Sequence, residues 1–331
     1  MDILSLPKDI QYEIVSRIND KNIGLVIMAS KSWFRMLKKI LKSFKLTINL
    51  NSTPITDKAL ACLADVYAIK LNWCRKITNV GLSYLHGVKK ISLSGCLQIT
   101  DKGLSHLHGV EYINLYCCYD ITNRGLYYLS GVKKIKLDHC YKITHNGIRH
   151  IKSTKYISLN GHILNNKAFI YLKNVHTINL FGCNITDDDL SYFKCVHTID
   201  LGNCNKITNN GLKYLTSAHS VKLDGCSNIT DDGLKYLNKA HRITLSGNNL
   251  ITDLGIKYLE SVREIYLSDC IQLTDVAMSY ILNAVVIYIP YTRITDQGIL
   301  YLTQAKKINV RGCQNITDVG LAKLVNIEII K

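Results

Sequence analysis

Cysteine and histidine are the side chains in this sequence with the widest chemical range, and both are abundant. The 331 residues include twelve cysteines and eleven histidines, enough for metal sites, redox centres or a cysteine nucleophile. No two cysteines have C-x-x-C spacing, and the adjacent pair Cys117 and Cys118 is too close for a zinc knuckle. The regular spacing of most of the cysteines favours a role in the framework of the fold.

Nine cysteines occupy one position in a sequence unit that recurs every 21 or 22 residues. The unit has an Ile-x-Leu segment, the cysteine three residues later, then Ile-Thr-Asp and Gly-Leu-x-x-Leu. Other units place His162, Asn248, Thr53 or Thr292 at this position. A small hydrogen-bonding side chain in a buried turn fits cysteine and its replacement by asparagine or threonine, whereas a soft-metal ligand or a disulfide fits this replacement poorly. The cysteines at this position are Cys74, Cys96, Cys118, Cys140, Cys183, Cys204, Cys226, Cys270 and Cys313.

Common catalytic patterns do not occur in the sequence. There is no G-x-S-x-G, no H-E-x-x-H and no G-x-x-x-x-G-K-[ST] segment. The histidines, aspartates and cysteines recur at framework positions. The sequence therefore predicts a chain that is not an enzyme, with no catalytic residues, no cofactor and no metal.

Thirteen units follow one another without a linker, which predicts a solenoid. In each unit the Ile-x-Leu alternation predicts a short strand with both aliphatic side chains on one face. Thr followed by Asp or Asn predicts a helix start, because short side-chain oxygens cap backbone N–H groups; we expect this of Asp57, Asn79, Asp101 and Asn123. Neither element can bury its apolar face alone, so neighbouring units must stack.

The repeat resembles the leucine-rich repeat family, and specifically its cysteine-containing class with the signature C-x-x-I-T-D-x-G-L. One copy here runs from Cys226 to Leu234. The resemblance implies an α/β solenoid, a leucine-rich-repeat horseshoe of about 13 repeats, over residues 47–331. The units are shorter than is usual in that class, so the helices should be short.

Residues 1–46 do not follow the repeat. Leu6, Ile10, Ile14 and Ile18 share one helical face, and the pattern up to Trp33 resembles an F-box. The resemblance implies a small all-helical F-box-like domain that binds a Skp1-like adaptor; the residues implied are Leu6, Pro7, Asp9, Ile10, Ile14, Ile18, Ile23 and Trp33. A plain helical cap on the first repeat is the alternative.

An F-box followed by such repeats resembles the substrate receptors of cullin-RING ligases. The resemblance implies a non-catalytic substrate-recognition subunit of an SCF-type ubiquitin ligase, with the cullin core as a further partner. Its expected location is the cytoplasm or nucleus, or the host cytoplasm if the protein is a viral or bacterial effector. A stand-alone leucine-rich-repeat interaction scaffold is the alternative.

The target protein should bind the concave face of the solenoid. The residue between Ile and Leu, and the one or two after Leu, should point away from the core, and these positions vary between units. Aromatic residues and arginine are common interface anchors. The predicted target-binding residues are Lys70, Trp73, Tyr116, Lys136, Asp138, His139, Phe181, Asp224, Tyr266, Tyr288, Tyr291 and Arg311.

The formal net charge is +16, from 41 basic and 25 acidic residues. This charge permits binding to nucleic acid, but the basic residues are scattered and the concave positions mix acids with bases, which argues against it. No uninterrupted apolar stretch reaches about 18 residues, so no membrane span is expected. The first residues lack the apolar core of a secretory signal.

Overall fold

The structure, a computed structural model, describes Pro7, Lys45 and residues 47–64, 66–161, 164 and 166–331. The chain divides into two compact units, residues 1–157 and residues 158–331. The predicted F-box-like positions lie outside the described residues, except Pro7, which is exposed. The domain boundary after residue 46 likewise stays a prediction, as does adaptor binding by Leu6, Asp9, Ile10, Ile14, Ile18, Ile23 and Trp33.

The described part of the first unit alternates short strands with short helices. The strands are β1 (Thr47–Asn49), β2 (Ala68–Lys70), β3 (Lys90–Ser92), β4 (Tyr112–Asn114) and β5 (Lys134–Lys136). The helices are α1 (Asp57–Ala61), α2 (Asn79–Ser83), α3 (Asp101–Leu104), α4 (Asn123–Tyr128) and α5 (His145–Ile148), the last followed by a 3-10 turn. Consecutive strands pair in parallel, with Ile48, Ile69, Ile91, Ile113 and Ile135 in register. Strand β6 (Tyr156–Ser158) contains the division between the units.

The second unit continues the same alternation. Its strands are β7 (Thr177–Asn179), β8 (Thr198–Asp200), β9 (Ser220–Lys222), β10 (Arg242–Thr244), β11 (Glu264–Tyr266), β12 (Val286–Tyr288), β13 (Lys307–Asn309) and β14 (Glu328–Ile330). Its helices are α6 (Asn166–Phe169), α7 (Asp187–Leu190), α8 (Asn209–Leu212), α9 (Asp231–Leu234), α10 (Asp253–Ile256), α11 (Asp275–Tyr280), α12 (Asp296–Ile299) and α13 (Asp318–Leu321). From β7 onwards the strands pair in parallel in chain order.

This arrangement confirms the predicted α/β solenoid of leucine-rich repeats in each unit. The helices have four to six residues, as the short repeat predicts. Strand and helix side chains form the core together: Ile91, Leu93, Leu104 and Leu107 of one coil are all 0% exposed. Each such side chain contributes about 1.5–3 kcal/mol when it is fully buried.

The nine repeat cysteines lie where each strand turns towards its helix, and all are buried. Each thiol donates a hydrogen bond across 3.0–3.2 Å to a backbone carbonyl of the preceding coil. The Leu71 carbonyl, for example, accepts both the Cys74 N–H and the Cys96 thiol. Asn248 substitutes for cysteine by donating its amide to Leu223 at 2.8 Å. The predicted structural role of this position is confirmed.

The helix starts contain a second set of bonds between coils, and here the sequence prediction is wrong in detail. Threonine caps the helix: Thr78 Oγ1 accepts the Val80 N–H at 3.2 Å. Asp57 instead bonds to the next coil, accepting the Thr78 N–H at 2.8 Å and the Thr78 hydroxyl at 2.7 Å. Asn79, Asp101 and Asn123 were also expected to cap their own helices, but they bond to Thr100, Thr122 and Thr144 of the next coil. Asp101 accepts both bonds, whereas the asparagines accept the threonine N–H and donate their amide to the threonine hydroxyl.

The glycine of the Gly-Leu-x-x-Leu segment leaves space for this bond. A Cβ atom at Gly81 would collide with Oδ1 of Asp57, and one at Gly233 would collide with Oδ1 of Asn209. The Thr-Asp-x-Gly signature thus describes one contact between coils. In most coils the threonine caps its helix, as Thr78 and Thr100 do; the acid or amide bonds to the next threonine, and the glycine makes room for the acid or amide of the preceding coil.

Asp231→Ala should lower the free energy of unfolding by about 1–3 kcal/mol, because Thr252 loses the acceptor of its N–H and hydroxyl. Asp231→Asn should cost less, since Asn209 makes the equivalent bonds to Thr230. Urea unfolding followed by circular dichroism measures both effects. An asparagine variant as unstable as the alanine variant would contradict the assigned role.

Burial favours the protonated form of several repeat cysteines. It raises the pKa of Cys96, Cys140, Cys204 and Cys270 to about 12 and that of Cys226 to about 11, with desolvation of the thiolate as the largest cause. Thiols of the unfolded chain ionise near pH 8.5, at about their ordinary pKa. The stability that these thiols contribute is therefore complete below that pH and is lost as the pH rises towards their pKa values in the folded protein.

At about pH 8, a thiol reagent should modify Cys62 and Cys195 quickly, because these cysteines are exposed. The nine repeat cysteines should react only when the protein unfolds. A colorimetric count of released thiolate over time measures this difference. In the matched control, Cys62→Ser with Cys117→Ser and Cys195→Ser, the fast phase should vanish; a fast phase that persists there would show that the repeat cysteines are accessible.

Candidate protein-binding surface

The strand face is the surface that the sheet presents away from the core. It consists of the two residues that flank each central strand isoleucine or valine, and the two residues that follow the next leucine. In the coil of β3 these are Lys90, Ser92, Ser94 and Gly95. The core residues between them are constant in type, so this face can vary without disturbing the stack.

The second residue after the leucine has a left-handed backbone in both units. Glycine occupies this position in several coils, for example Gly95 with φ of 68° and Gly312 with φ of 71°. Trp73, His139 and Tyr291 adopt the same conformation, with φ between 58° and 61°. For a bulky side chain this costs on the order of 1–2 kcal/mol. A hydrogen bond to the next coil, such as Trp73 N–H to the Ser94 carbonyl at 2.7 Å, holds the backbone in place.

Trp73 and Tyr291 each lie over a glycine of the following coil. A Cβ atom at Gly95 would overlap the Trp73 ring, and one at Gly312 would overlap the Tyr291 ring. The two rings are nevertheless 46% and 52% exposed. Each is therefore held flat against the backbone on one side and open to a partner on the other, which is the geometry of a preorganised anchor.

In the first unit, Tyr116 and His139 are brought together as an edge-to-face pair with ring centroids 5.3 Å apart. His139 Nδ1 also lies 2.5 Å from the hydroxyl of Tyr141, which sequence reasoning did not include. Lys70 is exposed and Lys136 is half-buried on the same face. These residues form a polar and aromatic surface without a deep pocket.

In the second unit, Tyr266 and Tyr288 stack with centroids 4.7 Å apart. The guanidinium carbon of Arg242 lies 5.3 Å from the Tyr266 ring centroid, and its Nη2 donates to the Tyr266 hydroxyl at 3.2 Å. Arg242 Nη1 also pairs with Glu264 at 3.2 Å. Elsewhere on this face, Phe181 covers Gly202, and Arg311 is exposed.

Two of the predicted target-binding residues, Asp138 and Asp224, lie in surroundings that favour a role in holding the fold together. Asp138 is only 5% exposed, so a direct contact with a partner is inconsistent with its burial. The Asp224 carboxylate accepts the Thr244 hydroxyl at 2.6 Å and the Ser246 N–H at 2.8 Å, joining two neighbouring strands. Asn72 makes the same pair of bonds to Ser92 and Ser94, so these acids and amides stabilise the strand face.

Sequence reasoning missed Arg242 because it considered only the residues after the central isoleucine. The residue before that isoleucine lies on the same face, since side chains alternate along a strand. Strict application of this period would have found Arg242, and also Tyr112 and Lys90.

Among the described residues, no group of three or more His, Cys, Asp or Glu side chains is placed to hold a metal ion. Within the same residues, no helix has the length and apolar character needed to cross a membrane.

Comparison with known proteins supports the fold. Residues 171–194 and 306–325 match the family described as Leucine Rich repeat. No curated protein matches the sequence significantly. The chain therefore has the leucine-rich-repeat fold, and two of its segments match the family's model.

Solved structures share this fold at low sequence identity. Yeast Rad7, in its crystal structure with Elc1, is 16% identical with a TM-score of 0.62 over 98% of both chains. An internalin, inlF of Listeria monocytogenes, is 17% identical with a TM-score of 0.56 over 94% of both chains. TLR13, in complex with ssRNA13, is 12% identical with a TM-score of 0.60 over 86% of this chain and 52% of that chain. At these identities the likeness concerns the fold alone.

Gly312→Ala should destabilise the protein more than Gly247→Ala. Both glycines have positive φ, but a Cβ atom at Gly247 meets nothing within 4 Å, whereas one at Gly312 displaces the Tyr291 ring. The left-handed conformation costs each alanine variant on the order of 1–2 kcal/mol, and only Gly312→Ala adds the lost ring contact. Urea unfolding measures the difference.

The double-mutant cycle with Tyr291→Asn isolates that contact, because asparagine tolerates this backbone, as Asn203 does here with φ of 57°. In the Tyr291→Asn background, Gly312→Ala should cost no more than Gly247→Ala. An unchanged cost in that background would show that the ring is not held against Gly312.

Proposed function

We propose that this chain is the non-catalytic substrate-recognition subunit of an SCF-type ubiquitin ligase, acting in the cytoplasm or nucleus. In this proposal the F-box-like head binds a Skp1-like adaptor attached to a cullin core. The strand face binds the target protein. Binding brings the target close to the catalytic subunits and so raises its effective concentration there.

One observation carries the protein-binding part of the proposal. Trp73 and Tyr291 are exposed aromatic rings at left-handed positions where other coils place glycine. The fold does not require them, because glycine serves the same backbone elsewhere, and they are kept at a cost in conformational energy. Large, fixed, half-exposed rings are typical of interface anchors.

The ligase part is supported by the F-box-like sequence from Leu6 to Trp33, directly before the first repeat. The partner of Rad7 in its crystal structure is also a protein, Elc1. Nucleic-acid binding is less well supported, because strand-face cations pair with acids: Lys222 with Asp200 at 3.3 Å and Arg242 with Glu264 at 3.2 Å.

Purified Skp1 should be captured by the full chain in a pull-down, and a variant with Leu6→Glu, Pro7→Glu and Ile10→Glu should lose this capture. The charged side chains would have to be desolvated against the apolar surface of the adaptor. The matched control is Trp73→Asn with Tyr291→Asn, which alters only the strand face and should capture Skp1 as the unchanged chain does. Undiminished capture by the head variant would instead favour the stand-alone interaction scaffold.

A further inference from the structure

Four histidines in the second unit stack in a continuous column, which we call the histidine ladder: His176, His197, His219 and His241. Their ring centroids are 4.5, 4.7 and 4.4 Å apart, with interplanar angles of 15–18°. Each ladder residue immediately precedes a strand, and each backbone N–H after the first donates to the carbonyl of the preceding ladder residue at 2.9–3.0 Å. The spacing of the strands therefore imposes the spacing of the rings.

The framework does not require histidine at this position. In the first unit the equivalent residues include Tyr67, Lys89, Glu111 and Lys133, joined by the same backbone bonds. In the second unit Arg263 follows His241 in the column. Because this position accepts so many residue types, the framework does not explain four consecutive histidines. They are therefore a feature of the exposed surface.

All four ladder side chains are exposed. Nδ1 of His176 and of His197 lies 3.2 Å from the hydroxyl of the following threonine. The structure shows no partner for Nε2 of any ladder ring within the described residues. The ladder therefore presents a row of free imidazole nitrogens along the edge of the strand face.

One end of the ladder opens into a shallow groove of about 490 Å³, lined by His219, His241, Lys222, Arg242, Arg263 and Glu264. Lys222 and Arg242 are paired with carboxylates, as described above. Arg263 donates to the Asn283 carbonyl at 3.1 Å and forms no ion pair among the described residues. The groove therefore has three cations, Lys222, Arg242 and Arg263, near only two carboxylates, Asp200 and Glu264.

Protonated rings in the ladder repel one another, so a positive charge on one ring makes a charge on its neighbour less favourable. Desolvation, followed by the neighbouring rings His176 and His219, lowers the pKa of His197 from its ordinary value. Two adjacent imidazolium rings would repel each other by about 1 kcal/mol at 4 Å even in water. A bound anion would offset both the desolvation and the repulsion, so binding of an anion and protonation of the ladder favour each other.

We propose that the histidine ladder and the adjoining groove bind an acidic, extended segment of a partner protein, with proton uptake. This inference deepens the proposed protein-binding function and rests on it. The carboxylates of the segment lie along the imidazole edges, and one carboxylate enters the groove beside Arg263 and Arg242.

The distribution of charge favours an acidic protein segment over nucleic acid. Asp200 and Glu264 lie on the strands beside the ladder, and each is paired with one cation, Lys222 or Arg242. A nucleic-acid strand carries a phosphate at every nucleotide and would meet these carboxylates. A protein segment can place its acids opposite the ladder and neutral residues opposite Asp200 and Glu264.

The charged side chains around the ladder are Lys222, Arg242 and Arg263, on or before the strands, and Asp200 and Glu264 beside them. In the preceding turns, Lys173, Lys194 and Lys239 come two or three residues before a ladder histidine, and the Lys194 ammonium lies over the Tyr214 ring. Any pH dependence between about pH 5.5 and pH 7.5 therefore reports the histidines.

The test uses the full chain and a rhodamine-labelled ten-residue peptide of alternating glutamate and serine, with binding followed by fluorescence anisotropy at ~150 mM salt. Affinity should rise about tenfold from about pH 7.5 to about pH 5.5, the gain expected if one ring pKa rises by one unit on binding. His197→Gln with His219→Gln should weaken binding and reduce this pH dependence, because only His176 and His241 remain in the column. The matched control, His86→Gln with His108→Gln, removes two exposed histidines outside the ladder and should leave both unchanged.

Three outcomes would overturn the inference: no binding of the glutamate–serine peptide, equal binding and pH dependence in the ladder variant and the control, or tighter ladder-dependent binding of decathymidylate. The last outcome would assign the surface to nucleic acid. The Skp1 pull-down depends on the head of the chain and not on the ladder. Failure of the ladder and failure of the ligase assignment are therefore distinguishable.

Discussion

The fold depends on how each coil satisfies the backbone polar groups at the two ends of a strand only three residues long. So short a strand forms few ladder bonds of its own, and the turns on either side would leave buried N–H and C=O groups unpaired. Two side-chain contacts with the neighbouring coil solve this problem. The thiol of Cys96 bonds to the Leu71 carbonyl after one strand, and Asp57 bonds to the Thr78 N–H before the next helix. Both contacts repeat along the chain, so each coil specifies the position of the next.

Because these contacts use inward-facing and turn positions, most strand-face residues are not needed to hold neighbouring coils together. Two residues are exceptions. Asp224 and Asn72 bond to the next strand from the first position after the leucine, so that position is shared between stability and recognition. The next position is different: its backbone is fixed in a left-handed conformation by a bond to the neighbouring coil, whatever the side chain. Trp73 and Tyr291 use that position to hold a ring rigidly over a glycine.

The repeat and the inward-facing residues could be predicted from the sequence because they depend on period alone. The cysteine role was also accessible, since replacement by Asn248 or Thr292 excludes a soft-metal ligand. The role of Asp57 could not be predicted from the sequence. A cap on its own helix and a bond to Thr78, 21 residues away, require the same residue types, so only the coordinates distinguish them. The burial of Asp138 and the contacts of Arg242 likewise depend on how neighbouring coils pack. The F-box-like head, outside the described residues except for Pro7, stays a prediction.

The column that contains the histidine ladder shows how one geometric constraint selects side chains. Neighbouring members of the column are joined through their backbones at the spacing of the strands, so identical fixed charges would repel. In the first unit Lys89, Glu111 and Lys133 alternate in sign, and Lys133 pairs with Glu111 at 3.1 Å; Lys155, which follows Lys133, is an exception to the alternation. In the second unit the column meets the same constraint with imidazole rings, which stack while neutral and can accept protons when an anion is present. Lysine in all four places would give a surface of higher charge but without the stack, and its charge would not respond to pH near neutrality. Histidine side chains can stack closely while neutral and can carry positive charge in a complex with an anion. Binding therefore explains the ladder better than stability does.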